Sequence, residues 1–140
     1  MANKPKDTGS GKPRADKLGI KPGARVYVRG GAAMKMGVDD DIKALSAKRA
    51  RTPDDADWIL LGIGDASDLP SIPELRGRMR DDCAIWVVWP KGNKDCNDNH
   101  VRATALALDL VDVKVMSWSP THTGLKLVVR KSARKPEQRA

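Results

Sequence analysis

At 140 residues the chain has room for one domain. With 40% hydrophobic residues, 31% charged residues and a formal net charge of +8, its composition is globular, which excludes a wholly disordered chain and a multidomain assembly. No apolar run approaches the roughly 18 residues of a membrane span, and no apolar stretch follows the N-terminal lysines as it would in a secretory signal. The two cysteines, Cys83 and Cys96, have the spacing of neither a disulfide framework nor a zinc motif, so the expected setting is the reducing cytoplasm.

The charge is concentrated at the ends. Residues 1–17 hold five Lys/Arg against two Asp, and residues 130–140 hold five against one Glu. The composition therefore predicts a disordered basic tail over 1–17, a folded domain over 18–130 and a second basic tail over 131–140. Such tails can touch nucleic acid weakly and in a salt-dependent way. A merely solubilising tail is the plainer reading, because no Phe and a single Tyr leave no aromatic platform for bases.

Within the domain, Pro22-Gly23 is a lead-in turn and Ala24–Arg29 is a strand rich in Val and Tyr. Val38–Ala47 is a helix, with Val38, Ile42 and Leu45 on one face and three Asp in its first turn. Lys48–Asp57 is polar and broken by Pro53; a short edge strand could lie there, but none is counted. Trp58–Ile63 is an apolar strand of the kind buried on both faces. A helix capped by Asp68 or Ser71 runs to about Arg80, and a further apolar strand, Ala84–Trp89, stops at Pro90. A helix over Asp98–Leu110, capped by Asp98 or Asn99, precedes two strands, Val111–Trp118 and Leu125–Arg130, joined by the link Ser119–Gly124. Strands alternating with helices predict an α/β fold: a mostly parallel five-stranded Rossmann-like sheet, helices on its faces, and an antiparallel C-terminal strand. Numbered by strand, the order is 1-2-3-5-4. The first strand would then be an open edge, available to a homodimer or to the N-terminal tail.

Four phrases stand in a fixed order: KLGIKPG at Lys17–Gly23, WPKG at Trp89–Gly92, LVDVKV at Leu110–Val115 and GLKLVVR at Gly124–Arg130. Over residues 17–130 the chain resembles a small bacterial family classed as a domain of unknown function. The members of that family resemble the C-terminal half of a class I methyltransferase, antiparallel last strand included. His122 stands where those members tend to carry Trp. The resemblance implies the fold and brings no catalytic residues with it.

A methyltransferase holds its cofactor on a glycine-rich turn after the first strand and on an acid at the end of the second. Here the turn is Arg29 to Gly37; it lacks the G-x-G spacing, and no acid precedes it. Only one helix fits between Gly30 and Asp57, so the ribose-binding acid has no strand to sit on, and no cofactor is expected. His100 and His122 with Cys83 and Cys96 lack the short spacings of a metal site, and no metal is expected either. Trp58 and Trp86 read as core, while Trp89 borders the turn at Pro90-Lys91-Gly92.

Ligands of open α/β sheets sit beyond the carboxyl ends of the strands. That rule gathers Gly30, Gly31, Asp65, Lys91, Gly92, Thr121 and His122 into one candidate rim, centred on Lys91 and suited to a small anion. The plain alternative is a polar rim with Lys91 in a surface ion pair to Asp65 or Asp95. The residues lead first to a non-catalytic binding or regulatory module for a protein or small anionic ligand. The alternative is a minimal enzyme, a methyltransferase or a catalyst of small-anion chemistry, and the third reading is a weak nucleic-acid binder.

Overall fold

The computed structural model describes residues 13–35 and 37–134. They form an α/β fold around one six-stranded sheet. The strands are β1 (Arg25–Arg29), β2 (Lys48–Arg49), β3 (Trp58–Gly62), β4 (Ala84–Pro90), β5 (Leu110–Ser119) and β6 (His122–Val129). The helices are α1 (Arg14–Leu18), α2 (Val38–Ala44), α3 (Ser71–Arg76) and α4 (Asp98–Leu106). The strand order is β2-β1-β3-β4-β6-β5. β2, β1, β3 and β4 pair in parallel, and β6 runs antiparallel to both β4 and β5.

The expected order of the five longer strands is the observed one, but the sheet has six. β2 pairs with β1 through Arg25–Lys48 and Val26–Arg49. Two exposed cationic residues show no alternation, so pattern alone does not reveal the strand. The same charges keep this edge solvated. β1 is therefore an interior strand and not the open edge expected.

Period-2 alternation divides the strands between two cores. Ile59, Leu61, Ile85, Val87, Trp89, Leu125, Leu127 and Val129 join Ile72 and Leu75 of α3 and Val101 and Ala105 of α4 on one face. Val26, Leu60, Trp86, Val88, Met116 and Trp118 join Leu18, Val38 and Ile42 on the other. β4 supplies both faces, which is why its sequence is apolar without a break. Trp86 is completely buried; truncating such a side chain costs about 3–5 kcal/mol. Its indole donates from Nε1 to the Leu18 carbonyl at 3.1 Å, fastening the N-terminal segment to the centre of the sheet. Trp58, expected in the core, is half-buried, with the Lys126 ammonium 4.8 Å from its ring centroid.

Several boundaries differ from the sequence reading. α3 ends at Arg76, α2 at Ala44 and α4 at Leu106, each short of its predicted end. Asn97, not Asp98 or Asn99, caps α4: its side chain accepts from the Asn99 and His100 amides, and His100 Nδ1 accepts from the Asn97 amide. The β5–β6 link shrinks from the expected Ser119–Gly124 to Pro120 and Thr121. His122 and Thr123 pair with Pro90 and Trp89 of β4, and backbone pairing of this kind does not require apolar side chains.

The expected disordered stretch 1–17 is also corrected at its end. Arg14–Leu18 is helical, and Ala15 is buried. The Arg14 guanidinium pairs with Asp41 at 2.6 Å, donates to the Trp118 carbonyl and lies 4.9 Å from the Trp118 ring centroid. The remaining tail residues, 1–12 and 135–140, lie outside the described residues, as does any nucleic-acid contact expected of them. Among the described residues no helix is long and apolar enough to cross a membrane.

The Arg14 contacts are mostly removed from water, whereas Arg49–Asp39 is an exposed pair. Arg14→Ala is expected to lower unfolding stability by about 1–3 kcal/mol, because it strips charge-assisted bonds from a sheltered Asp41. Arg49→Ala should stay within about 0.5 kcal/mol of the parent. Urea denaturation of the two variants measures both, and equal effects would show that α1 does not anchor the sheet.

Candidate functional site

The connections β1–α2–β2 and β3–α3–β4 leave the sheet on opposite faces. The carboxyl ends of β1 and β3 thus diverge, the arrangement that opens a crevice in parallel sheets. A cleft of about 390 Å³ lies there, lined by Arg29 at the end of β1, Gly30 and Gly31 after it, Leu61 to Gly64 at the end of β3, Asp68 and Ser71 on the way into α3, Pro90 and His122.

Three of the seven expected site residues, Gly30, Gly31 and His122, line this cleft. Gly30 is there for backbone reasons. Its φ is +119°, and an added Cβ would fall 2.3 Å from the Gly62 carbonyl oxygen, so the β1 turn packs directly on β3. Gly31 is different, since a Cβ there meets nothing within 4 Å and its backbone borders open space.

The other four lie outside the lining. Lys91, the expected centre, turns to the hairpin: its amide donates to the Thr121 carbonyl at 2.9 Å and its ammonium to Ser117 Oγ at 2.8 Å. It is paired with neither Asp65 nor Asp95. Gly92 completes the turn at φ +78°. Asp65 accepts from the amide and hydroxyl of Ser67 and borders a separate, shallow depression with Asp95 and His100. Thr121 Oγ1 bonds His122 Nδ1 at 2.8 Å, so it holds the ring without itself reaching the cleft.

His122 is thus presented by a small hydroxyl network. Ser119 Oγ accepts the Thr121 and His122 amides and lies 3.2 Å from Thr121 Oγ1. Partial burial, aided by the Lys91 charge, depresses its pKa below the ordinary 6.5, so the imidazole is neutral at pH 7.

Arg29, absent from the expected rim, is the cation of the cleft. It shares a face of β1 with Tyr27, whose hydroxyl accepts from its Nε and one terminal nitrogen at 3.2 and 3.0 Å. Glu74 of α3 pairs with the other terminal nitrogen at 3.0 Å. Burial opposes the charge, but the bonds to Tyr27 and Glu74 outweigh it and raise the pKa. The sequence signal for Arg29 was its place as the last residue of β1. Asp68 was read only as a cap; in the structure its carboxylate accepts the Gly64 amide at 2.8 Å while lining the cleft.

Elsewhere the cysteines are inward-facing. Burial pushes the Cys83 thiol up to about 12 and raises Cys96 as well, so neither is a ready thiolate. Among the described residues no three His, Cys, Asp or Glu side chains gather as a metal site.

Comparison with solved structures places the fold. The chain is similar to an S-adenosylmethionine-dependent methyltransferase from Aquifex aeolicus, with a TM-score of 0.58 and 13% identity over 81% of this chain and 87% of that one. A TehB-like methyltransferase from Corynebacterium glutamicum matches at 0.56 and 10% identity, over 88% and 92%. A third, a type 11 methyltransferase from Sulfolobus solfataricus, matches at 0.54 and 14% identity, over 80% and 88%. The fold is a methyltransferase-like Rossmann sheet. The likeness runs through most of each chain and is not confined to a C-terminal half. No family model and no curated protein matches the sequence. At these identities the likeness is one of fold.

Two outcomes follow from the local geometry. Gly30→Ala should cost more than about 2 kcal/mol, because strain at positive φ adds to a backbone collision; Gly31→Ala should be near neutral in the same denaturation experiment. For His122, a depressed native pKa means that the unfolded chain binds more protons just below pH 6.5. Stability therefore rises with pH through that window. Lys91→Met should move the His122 imidazole titration upward in NMR and flatten this rise; an unmoved midpoint would remove Lys91 as a cause.

Proposed function

We propose that this chain is a minimal methyltransferase-type enzyme working at the carboxyl-edge cleft. One observation carries the reading. The cleft opens where the β1 and β3 connections part, in a sheet whose order and antiparallel β6 are those of a methyltransferase-like fold. Membership of the small bacterial family that the four sequence phrases resemble is part of the same proposal.

The S-adenosyl cofactor of such enzymes meets a partial match here. The open backbone at Gly31 gives it room beside the β1 turn. Its usual acid is missing: β2 exists, contrary to expectation, but Ala50 and Arg51 follow it. Asp68 and Ser71, which line the cleft, are the acceptors available to ribose hydroxyls, and the partly exposed Pro90 offers an apolar surface to a base. When bound, this group supplies an electrophilic methyl carried on a sulfonium. The chain's own part is to hold the reactants beside Gly31, between the β1 turn and the His122 side of the cleft.

Calorimetric titration with S-adenosylmethionine and S-adenosylhomocysteine tests the reading. Saturable one-to-one binding is expected, abolished by Gly31→Leu, which fills the open space without requiring positive φ. Absence of saturable heat with both compounds would overturn it in favour of the binding module.

A further inference from the structure

We infer that the cleft recognises its acceptor substrate by a terminal oxyanion, a carboxylate or phosphate group held between Arg29 and His122, and that Glu74 occupies the guanidinium until that group arrives. The inference rests on the cleft being the working site and adds the class of substrate.

The chemistry starts with Arg29. A guanidinium has five N–H donors. The Tyr27 hydroxyl engages two and Glu74 one, which leaves one on each terminal nitrogen. The Tyr27 ring centroid lies 5.5 Å from the guanidinium carbon. The group is therefore fixed and incompletely satisfied, and it belongs to the lining of the cleft. Bidentate recognition of a planar or tetrahedral oxyanion is what such a fork does best.

Glu74 marks the place such an anion would take. Its side chain is 58% exposed and comes from α3, the short helix whose first residue, Ser71, lines the cleft. An exposed ion pair of this kind is weak, so an oxyanion with a second donor displaces it. His122 supplies that donor from the β4–β6 side in the tautomer whose Nδ1 accepts from the Thr121 hydroxyl, which puts the ring N–H on Nε2, the nitrogen available to a ligand. The carboxylate in the lining, Asp68, is bonded to the Gly64 amide and serves the donor-side hydroxyls in the reading above. Apolar Leu61, Ile63 and Pro90 lower the local dielectric and strengthen what charge contact forms.

Inorganic phosphate and acetate are the probes, followed by NMR of the Arg29 side-chain N–H and the His122 imidazole in the full chain. Saturable shifts of both groups are expected, and the probe that binds more tightly identifies the oxyanion as phosphate or carboxylate. Glu74→Gln should tighten binding about threefold; Arg29→Met should weaken it about tenfold or more. If Arg29→Met fails to fold, the Glu74→Gln arm still decides. No saturable shift with either probe at millimolar concentration, or no gain in Glu74→Gln, overturns the inference. Parallel titration with S-adenosylhomocysteine separates the two proposals. Nucleoside binding without anion binding defeats this one alone, and anion binding without nucleoside binding defeats the methyltransferase reading alone.

Discussion

The structure depends on one constraint, the burial of β4 on both faces. Six of its seven residues are buried, and alternate side chains face different cores. Neither face can stay dry without helices over it, so α3 and α4 must pack on one side and α1 and α2 on the other. Trp86 and Trp89 carry much of this in a chain with no Phe. On the α1–α2 side Trp86 meets Trp118 at 6.3 Å between centroids, with Gly124 leaving the space between them.

Covering both faces decides where the chain can open. Because β1 hands over to α2 on one face and β3 to α3 on the other, the turns after β1 and β3 move apart and leave the cleft. The same turns are tied tightly at their base, where Gly30 lies against Gly62. A rigid floor under diverging walls gives side chains such as Arg29 and His122 fixed positions, which a site on a long loop would lack.

The charges around the cleft show a division of labour. Lys91 works at one remove: it binds Ser117 and its charge helps keep the His122 ring neutral. Ser119 and Thr121 fix the orientation of that ring through the hairpin turn. Arg29 is braced by an aromatic hydroxyl and a carboxylate from two different elements. His122 is thus held by neighbours in its own hairpin turn, whereas Arg29 also depends on a partner from a remote element, Glu74 of α3.

By itself the sequence determined the elements whose burial is written in composition. The unbroken apolar runs of β3 and β4, the helical stripe of Val38 and Ile42, and the breaks at Gly30 and Pro90 each follow from local sterics or the need to exclude water. From them came the α/β class, the order of the five longer strands and the end of the sheet where a site belongs. Tertiary structure decided what local pattern does not encode. β2 exists because β1 offers its backbone to Lys48 and Arg49, and His122 is a strand residue because Pro90 lies opposite it. Arg14–Leu18 is ordered by Asp41, Trp86 and Trp118 from remote parts of the chain. The exchange of Lys91 for Arg29 as the cation of the cleft has the same origin. Both residues stand at strand ends, but the direction of a long charged side chain is set by which partner it reaches, and Ser117 and Glu74 become neighbours of Lys91 and Arg29 only once the sheet has formed.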